Sequence, residues 1–326
     1  MRRRLGIAAL VALGACGSGA KPSGGAGNAA AAGLVAAVEH AAATRAPWRC
    51  ATRSPSTTTG ELVAGERTWR RAGETLTTTG RGLTIVAVAD ARGDAAAIWR
   101  ERLRAAEPAV VLTLGGLGTT EAEIAASLGA LVDPAWLTVA IPGDAESWPA
   151  HRAAVATVAA TGAPVVDGAD VRLLDGGAAV IATLPGPAHA ARLAAGADGC
   201  VHDDADAAAI IAALVAAAGD RPTVLVAPRA PQGGGGARGV AGVPAGDPGL
   251  TAAVAGLTAV VHAPLVPGPT APGRAGDAVA VIAAGSLDPV PQFAVDGARA
   301  ARSLTAVTID DRALTWRPIV VDTPPR

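Results

Sequence analysis

β-Branched and apolar residues dominate Leu83–Ala89, and comparable runs return at Ala109–Leu114 and Trp136–Ile141. Runs this short, with no polar alternation, predict strands buried on both faces. The segments between them have helical spacing. Asp94–Ala106 places Ile98, Trp99 and Leu103 on one side, Thr120-Glu121-Ala122-Glu123 has the pattern of a capping box opening a helix through Leu131, and Pro149 suits the first turn of a third helix. Three strand–loop–helix units in succession predict a parallel α/β layer.

Beyond residue 160 the rhythm changes. Pro164–Val166, Val171–Leu174 and Ala178–Leu184 are short apolar runs separated by Gly and Asp, which predicts antiparallel pairing. Ala205–Ala218 reads as a helix with Ile210, Ile211, Leu214 and Val215 as its apolar stripe. Thr223–Ala227 and Thr258–His262 return to strand, with a Gly-rich loop over Gln232–Pro248 and a helix over Leu250–Leu257 between them. The tail adds strands at Ala278–Ala283, Leu304–Ile309 and Ala313–Val321, the last running into Asp322. The expected fold class is α/β, with two packed mixed β-sheets flanked by helices.

The N-terminal part follows different rules. Arg2, Arg3 and Arg4 precede an apolar stretch from Leu5 to Leu13. That is the pattern of a secretory leader, too short to span a bilayer as a stable helix. The following Leu13-Gly14-Ala15-Cys16 resembles the lipobox of bacterial lipoproteins, which implies cleavage before Cys16 and a lipid on its thiol. Residues 1–15 are therefore expected to be a signal peptide and 16–33, rich in Gly, Ala and Ser, a flexible tether. Residues 34–82 form an N-terminal extension in which Leu34–Ala43 suits a short helix and the Thr-rich stretch Cys50–Gly80 a hairpin or irregular structure. The main domain is expected over 83–326.

Composition narrows the chemistry. With no Tyr and a single Phe, Phe293, the Trp residues must supply much of the large-ring packing. The formal charge is −1 and becomes more negative once the three leader arginines are removed, so nothing marks a nucleic-acid partner. Cys50 and Cys200 sit 150 positions apart in a chain bound for an oxidising compartment. A disulfide and two separate buried thiols are both open to them. No Cys/His spacing suits a zinc ribbon or finger.

Five loops, each at the end of an apolar run, hold the candidate chemistry: Asp90-Ala91-Arg92-Gly93-Asp94, Gly115-Gly116, Pro142-Gly143-Asp144-Ala145-Glu146, Ala227-Pro228-Arg229 and Val261-His262-Ala263-Pro264-Leu265-Val266. Their order and spacing over Leu83–Asp322 resemble the calcineurin-like metallophosphoesterases. The resemblance implies a four-layer αββα sandwich whose strand-end loops would hold two metal ions that activate water. The family pattern runs Asp-x-His, Gly-Asp, Gly-Asn-His with Asp or Glu, a lone His, and Gly-His-x-His, and Gly285-Ser286-Leu287 resembles the Gly-Ser turn that often follows it.

Position by position, most ligands are missing. Asp90 matches the first carboxylate, but Arg92 stands at the first His and Gly116 at the carboxylate that would bridge the ions. Asp144 takes the Asn position and Ala145 the catalytic His. Pro228 takes the lone His, beside Arg229. Ala263, Pro264 and Val266 match Gly, His and His, with His262 just before them. Two dications about 3.5 to 4 Å apart need a shared anion, and Arg92 is a permanent cation that cannot be deprotonated to relieve its clash with a dication.

The expected cofactor is therefore none. Arg92, with Arg229, would replace the ions as counter-charge to Asp90, Asp94, Asp144 and Glu146, unless these are simply solvated loop charges. The leading expectation is a lipid-anchored, non-catalytic cell-envelope protein that binds a partner or small ligand, attached to the membrane through lipid on Cys16. Two alternatives stand beside it. One is a phosphoesterase using a single divalent metal such as Mn or Fe on Asp90, Asp144 and His262; the other is a periplasmic solute-binding lipoprotein. His40, His151, His189 and His202 lack ligand spacing, and no Gly-x-Ser-x-Gly elbow surrounds Ser286.

Overall fold

The computed structural model describes residues 48–51, 55–92, 96–188, 192–194, 198–232, 246–265, 270–276, 278–290, 293, 299–310 and 313–321. The expectations placed on Cys16, Leu34–Ala43, Asp94, His40, His189, Val266 and Asp322 lie outside them.

The first three strands come from the segment expected as an extension. β1 (Thr59–Ala64) and β2 (Arg67–Ala72) form a hairpin, and β3 (Thr75–Thr77) continues it. This is no appendage, because β3 pairs in parallel with β8 (Leu173–Asp175) and so joins the main sheet. Trp69 and Leu76 are fully buried in the central core. A boundary at residue 83 therefore cuts through a sheet, and Arg45–Arg326 forms one compact unit.

β4 (Gly82–Ala89), β5 (Val110–Leu114), β6 (Leu137–Ile141) and β7 (Val165–Asp167) run in parallel. Their crossovers carry α1 (Ala96–Ala106), α2 (Glu121–Leu131) and α3 (Trp148–Ala159). Thr120 and Glu123 close the expected capping box on α2, and Pro149 sits in the first turn of α3. The antiparallel pairing expected of the next three runs is correct only for β8 with β9 (Val180–Thr183). β7 instead extends the parallel layer, which lets its backbone satisfy β6 on the far side of the site.

From β9 the chain passes through α4 (Asp204–Ala218), β10 (Thr223–Ala227), α5 (Pro248–Ala253), β11 (Ala259–His262), β12 (Gly273–Ala275), β13 (Val279–Ala283), β14 (Gly285–Ser286), β15 (Ser303–Asp310) and β16 (Ala313–Val320). α5 stops at Ala253, short of the expected Leu257. On α4, Ile210, Ile211 and Leu214 face the sheet, but Val215 is 48% exposed, so the stripe is narrower than expected. α4 also opens on a capping box that the sequence reading missed, between Asp203 and Asp206.

Among the described residues the strands make two sheets. One has the order β1-β2-β3-β8-β9-β10-β11-β13-β12, and the other β16-β15-β4-β5-β6-β7 with β14 beside β4. Alternation along each strand builds the layers. Leu83, Ile85, Ala87 and Ala89 point between the sheets, where they share a core with Ile181, Val224, Val226 and Val261. Val86 and Val88 point the other way, against Trp99, Leu103, Leu128 and Trp136 of the helix side. Leu225 and Val260 do the same on the second sheet, packing with Ile210, Leu214 and Leu250. The fold is thus α/β, two packed mixed sheets flanked by helices. At about 25 cal/mol per Å² of apolar surface, this double-sided burial is the main stabilising contribution.

β16 is an edge strand. Its partner β15 aligns Ser303 with Val320, and the Val321 N–H donates to the Arg302 carbonyl at 2.9 Å. Cys50 and Cys200 are disulfide-bonded, with Cα atoms 5.4 Å apart. The bond ties the chain just after Trp48 to the loop that leads into α4.

Candidate functional site

Parallel strands end together, so the loops after β4, β5, β6, β10 and β11 meet at one end of the sandwich. They line a cavity of about 210 Å³ that includes Asp90, Gly116, Gly143, Asp144, Pro228, Arg229 and Ala263–Leu265. Most residues singled out from the sequence are brought together here. His262 and Glu146 are buried away from it.

Three of the loops interlock through glycines. Asp90 takes a left-handed conformation, φ 53°, which Asp tolerates better than most residues. Its N–H donates to the Gly115 carbonyl at 3.0 Å. Gly115 and Gly116 also have positive φ, 78° and 72°. A Cβ on Gly116 would lie 2.7 Å from the Asp90 Cα and overlap its Oδ1, while one on Gly115 would lie 2.6 Å from the Gly143 Cα. The glycine at 116 is therefore required by packing. The backbone and carboxylate of Asp90 fill the space that a side chain there would need.

Asp90 is held on two sides. The Ser286 Oγ donates to its Oδ2 at 3.2 Å, and the Arg92 guanidinium approaches its Oδ1 at 4.0 Å. Arg92 also donates from Nε to the Gly116 carbonyl at 3.3 Å. Burial pushes the Asp90 carboxyl up to about 6, although Arg92 and Ser286 pull it down. The role of Ser286 was not read from the sequence. The signal available was the parallel pairing of Gly285-Ser286 with Val88-Ala89, which a lone Gly-Ser cannot reveal.

Across the cavity, Arg229 Nη2 stands 3.5 Å from Asp144 Oδ2. Burial and the neighbouring Arg192 lower the Arg229 pKa from its ordinary value. One arginine–carboxylate pair, Arg229 with Asp144, lines the cavity, and Arg92 stands beside the Asp90 that lines it. Ala145 and Pro228 line or flank this space and offer no donor atom.

Glu146 departs from expectation. It does not add charge to the cavity but is fully buried. Its Oε1 accepts the Leu117 N–H at 2.7 Å and its Oε2 the Gly143 N–H at 2.9 Å, binding the β5 and β6 loops together. Burial raises its pKa despite these bonds. Beneath it lies His151, also fully buried, with Nε2 3.2 Å from the Ala140 carbonyl and 3.5 Å from Asp167 Oδ1. Burial disfavours the imidazolium, but Asp167, Glu146 and Ala140 outweigh it, and the His151 pKa is raised. This buried polar network was invisible in the sequence, where His151 is simply one helical His.

His262 ends β11 on the face of Val260, not of Val261, so alternation turns it toward the helix layer. It is fully buried, and its Nδ1 donates to the Ala263 carbonyl at 2.7 Å. Burial lowers its pKa to about 4, keeping it neutral. The expectation that it would join Asp90 and Asp144 around a metal is not met by this arrangement. Among the described residues no cluster of three or more His, Cys, Asp or Glu has the geometry of a metal site. Asp90 and Asp144 are the only carboxylates among the described residues that line the cavity, and each stands beside an arginine.

No family model matches the chain, and no curated protein does. Solved structures do resemble it. One crystal structure matches at a TM-score of 0.55 and 11% identity, covering 74% of this chain and 100% of its own. A second, the crystal structure of TT1561 of Thermus thermophilus, matches at a TM-score of 0.52 and 15% identity, covering 74% of this chain and 99% of its own. At such identities the likeness establishes the fold alone, a two-sheet α/β sandwich.

Proposed function

We propose that the protein is a non-catalytic, lipid-anchored relative of the metallophosphoesterases that binds a partner or small ligand at the bacterial cell envelope. The observation that carries this reading is the contact between Gly116 and Asp90. A carboxylate at 116, the group that two adjacent ions would share, has no room while Asp90 keeps its place. Arg229 supplies fixed positive charge in the cavity and Arg92 supplies it beside Asp90, which suits binding of a polar ligand better than coordination of dications. His262, turned away from the cavity, weakens the reading as a one-metal esterase. Metal analysis of the purified protein, followed by a phosphodiester assay with added Mn²⁺, tests the proposal. We expect no stoichiometric metal and no turnover; two ions per chain together with hydrolysis would overturn it.

A further inference from the structure

Scattered exposed apolar side chains are ordinary, but their grouping at one end of a molecule is not. Six large apolar side chains are exposed among the described residues: Trp48, Val63, Val215, Val290, Phe293 and Val320. Four of them lie at the end that carries the cavity. Val320 pairs with Ser303, at the level where β4 ends in Asp90. Val290 and Phe293, 64% and 60% exposed, belong to the loop that leaves this end after Ser286 and returns at Ser303. On the opposite flank, Trp48 bonds to Gly199 and Val201, and its ring lies 4.9 Å from that of Trp148, which opens α3 after the β6 loop. Arg152 stacks on Trp148 at 5.1 Å. Val63 and Val215 sit at the other end, beside the β1–β2 turn and in the last turn of α4.

The cavity is thus flanked by Trp48 on the β6 side and by Val290, Phe293 and Val320 on the β15–β16 side. Such a two-sided arrangement suits a broad, planar partner. Trp and Phe are side chains that partition well into the interfacial layer of a bilayer. The sequence before Trp48 supplies a second argument: the segment that begins at Cys16, the proposed lipid site, enters the described residues at Trp48, at this same end.

We infer that this end of the sandwich docks on a phospholipid bilayer, with Trp48 and Phe293 entering the headgroup layer and the Asp90–Arg229 cavity opening toward the membrane. The inference rests on the membrane attachment proposed above, but adds an orientation that attachment alone does not require. Its ligand would then be presented at the lipid surface.

The test uses the full chain with vesicles of phosphatidylethanolamine and phosphatidylglycerol containing acyl-brominated lipid, which quenches nearby indole emission. Phe293→Trp and Val215→Trp each place one new indole at an exposed position, at opposite ends of the molecule. In difference spectra against the parent, emission from position 293 should shift to the blue and be quenched, and emission from 215 should change in neither respect. Trp48→Phe should remove a quenched component from the parent. Equal quenching at 293 and 215 would overturn the orientation. Flotation with the vesicles but no quenching at 293 would defeat the docking while sparing the anchor, and would leave the face to a protein partner. Failure to float at all would remove both.

Discussion

The strand ends of the two sheets hold different chemistry. At the ends of β4, β5 and β6, charged and polar groups make structural contacts: Asp90 fits against Gly116, and Glu146 joins two loops through backbone N–H groups. At the ends of β10 and β11 the corresponding loops hold Pro228, Ala263 and Pro264, and the remaining polar residues are Arg229, paired with Asp144, and His262, turned into the helix layer. On the first sheet the polar side chains are tied to the backbone of neighbouring loops; on the second the loop positions are mostly apolar or proline.

The comparison is most open to attack at Glu146. Replacing it with Ala leaves the Leu117 and Gly143 N–H groups buried and unpaired, at roughly 1 to 3 kcal/mol each. Denaturant titration of Glu146→Ala should show a loss of about 2 to 6 kcal/mol, and a change within error would mean that the loops hold without it.

Gly116→Asp comes next. The new side chain meets Asp90 and must adopt positive φ, so we expect a cost of roughly 2 to 4 kcal/mol from strain and overpacking. Calorimetric titration with Mn²⁺ should still find no paired-ion binding; uptake of two ions by this variant would mean that Asp90 yields easily and that the difference between the sheets is only one of sequence.

Asp90 and His262 should respond to pH with opposite signs. The Asp90 carboxyl titrates higher folded than free, about 6 against 3.8, so its contribution to stability falls as pH rises through that window. Relative to the parent, Asp90→Asn should gain on the order of 2 kcal/mol between pH 4 and 6. His262 titrates lower folded than free, about 4 against 6.5, so its contribution is lost as pH falls across that interval. His262→Gln should flatten that acid-side loss, and thermal melts across the range would reveal either slope or its absence.

The smallest effect is expected at the rim. Asp144 is half exposed, so Arg229→Met should change stability by less than about 1 kcal/mol. If its melting temperature falls as far as that of Glu146→Ala, the second sheet's loop is as structural as the first's.

These contrasts also mark how far the sequence could be read. The runs at Leu83–Ala89, Ala109–Leu114 and Trp136–Ile141 announced themselves because strands covered on both faces leave no polar alternation. The strand pattern of residues 59–77 was faint for the opposite reason: its outward side chains are mostly solvated, and only a few, such as Trp69 and Leu76, reach the core. The loops of the site were legible as a set, since parallel strands deliver their ends to one place. Their internal arrangement was not, because the reason for Gly116 lies 26 positions away in Asp90, and the direction of His262 follows from a register that spacing alone does not fix. Cys50 and Cys200 likewise needed the third dimension to choose between a bond and two thiols.

One further consequence follows from the hydrogen bond that registers the last strand. With Val321 bonded to Arg302, the odd-numbered residues of β16 face β15 and the even-numbered ones present their backbone outward. Pro318 falls in the outward set and has no N–H to offer. An incoming chain seeking to prolong the sheet would find its ladder broken within the eight residues of this strand, so the molecule resists self-stacking into fibres at this border.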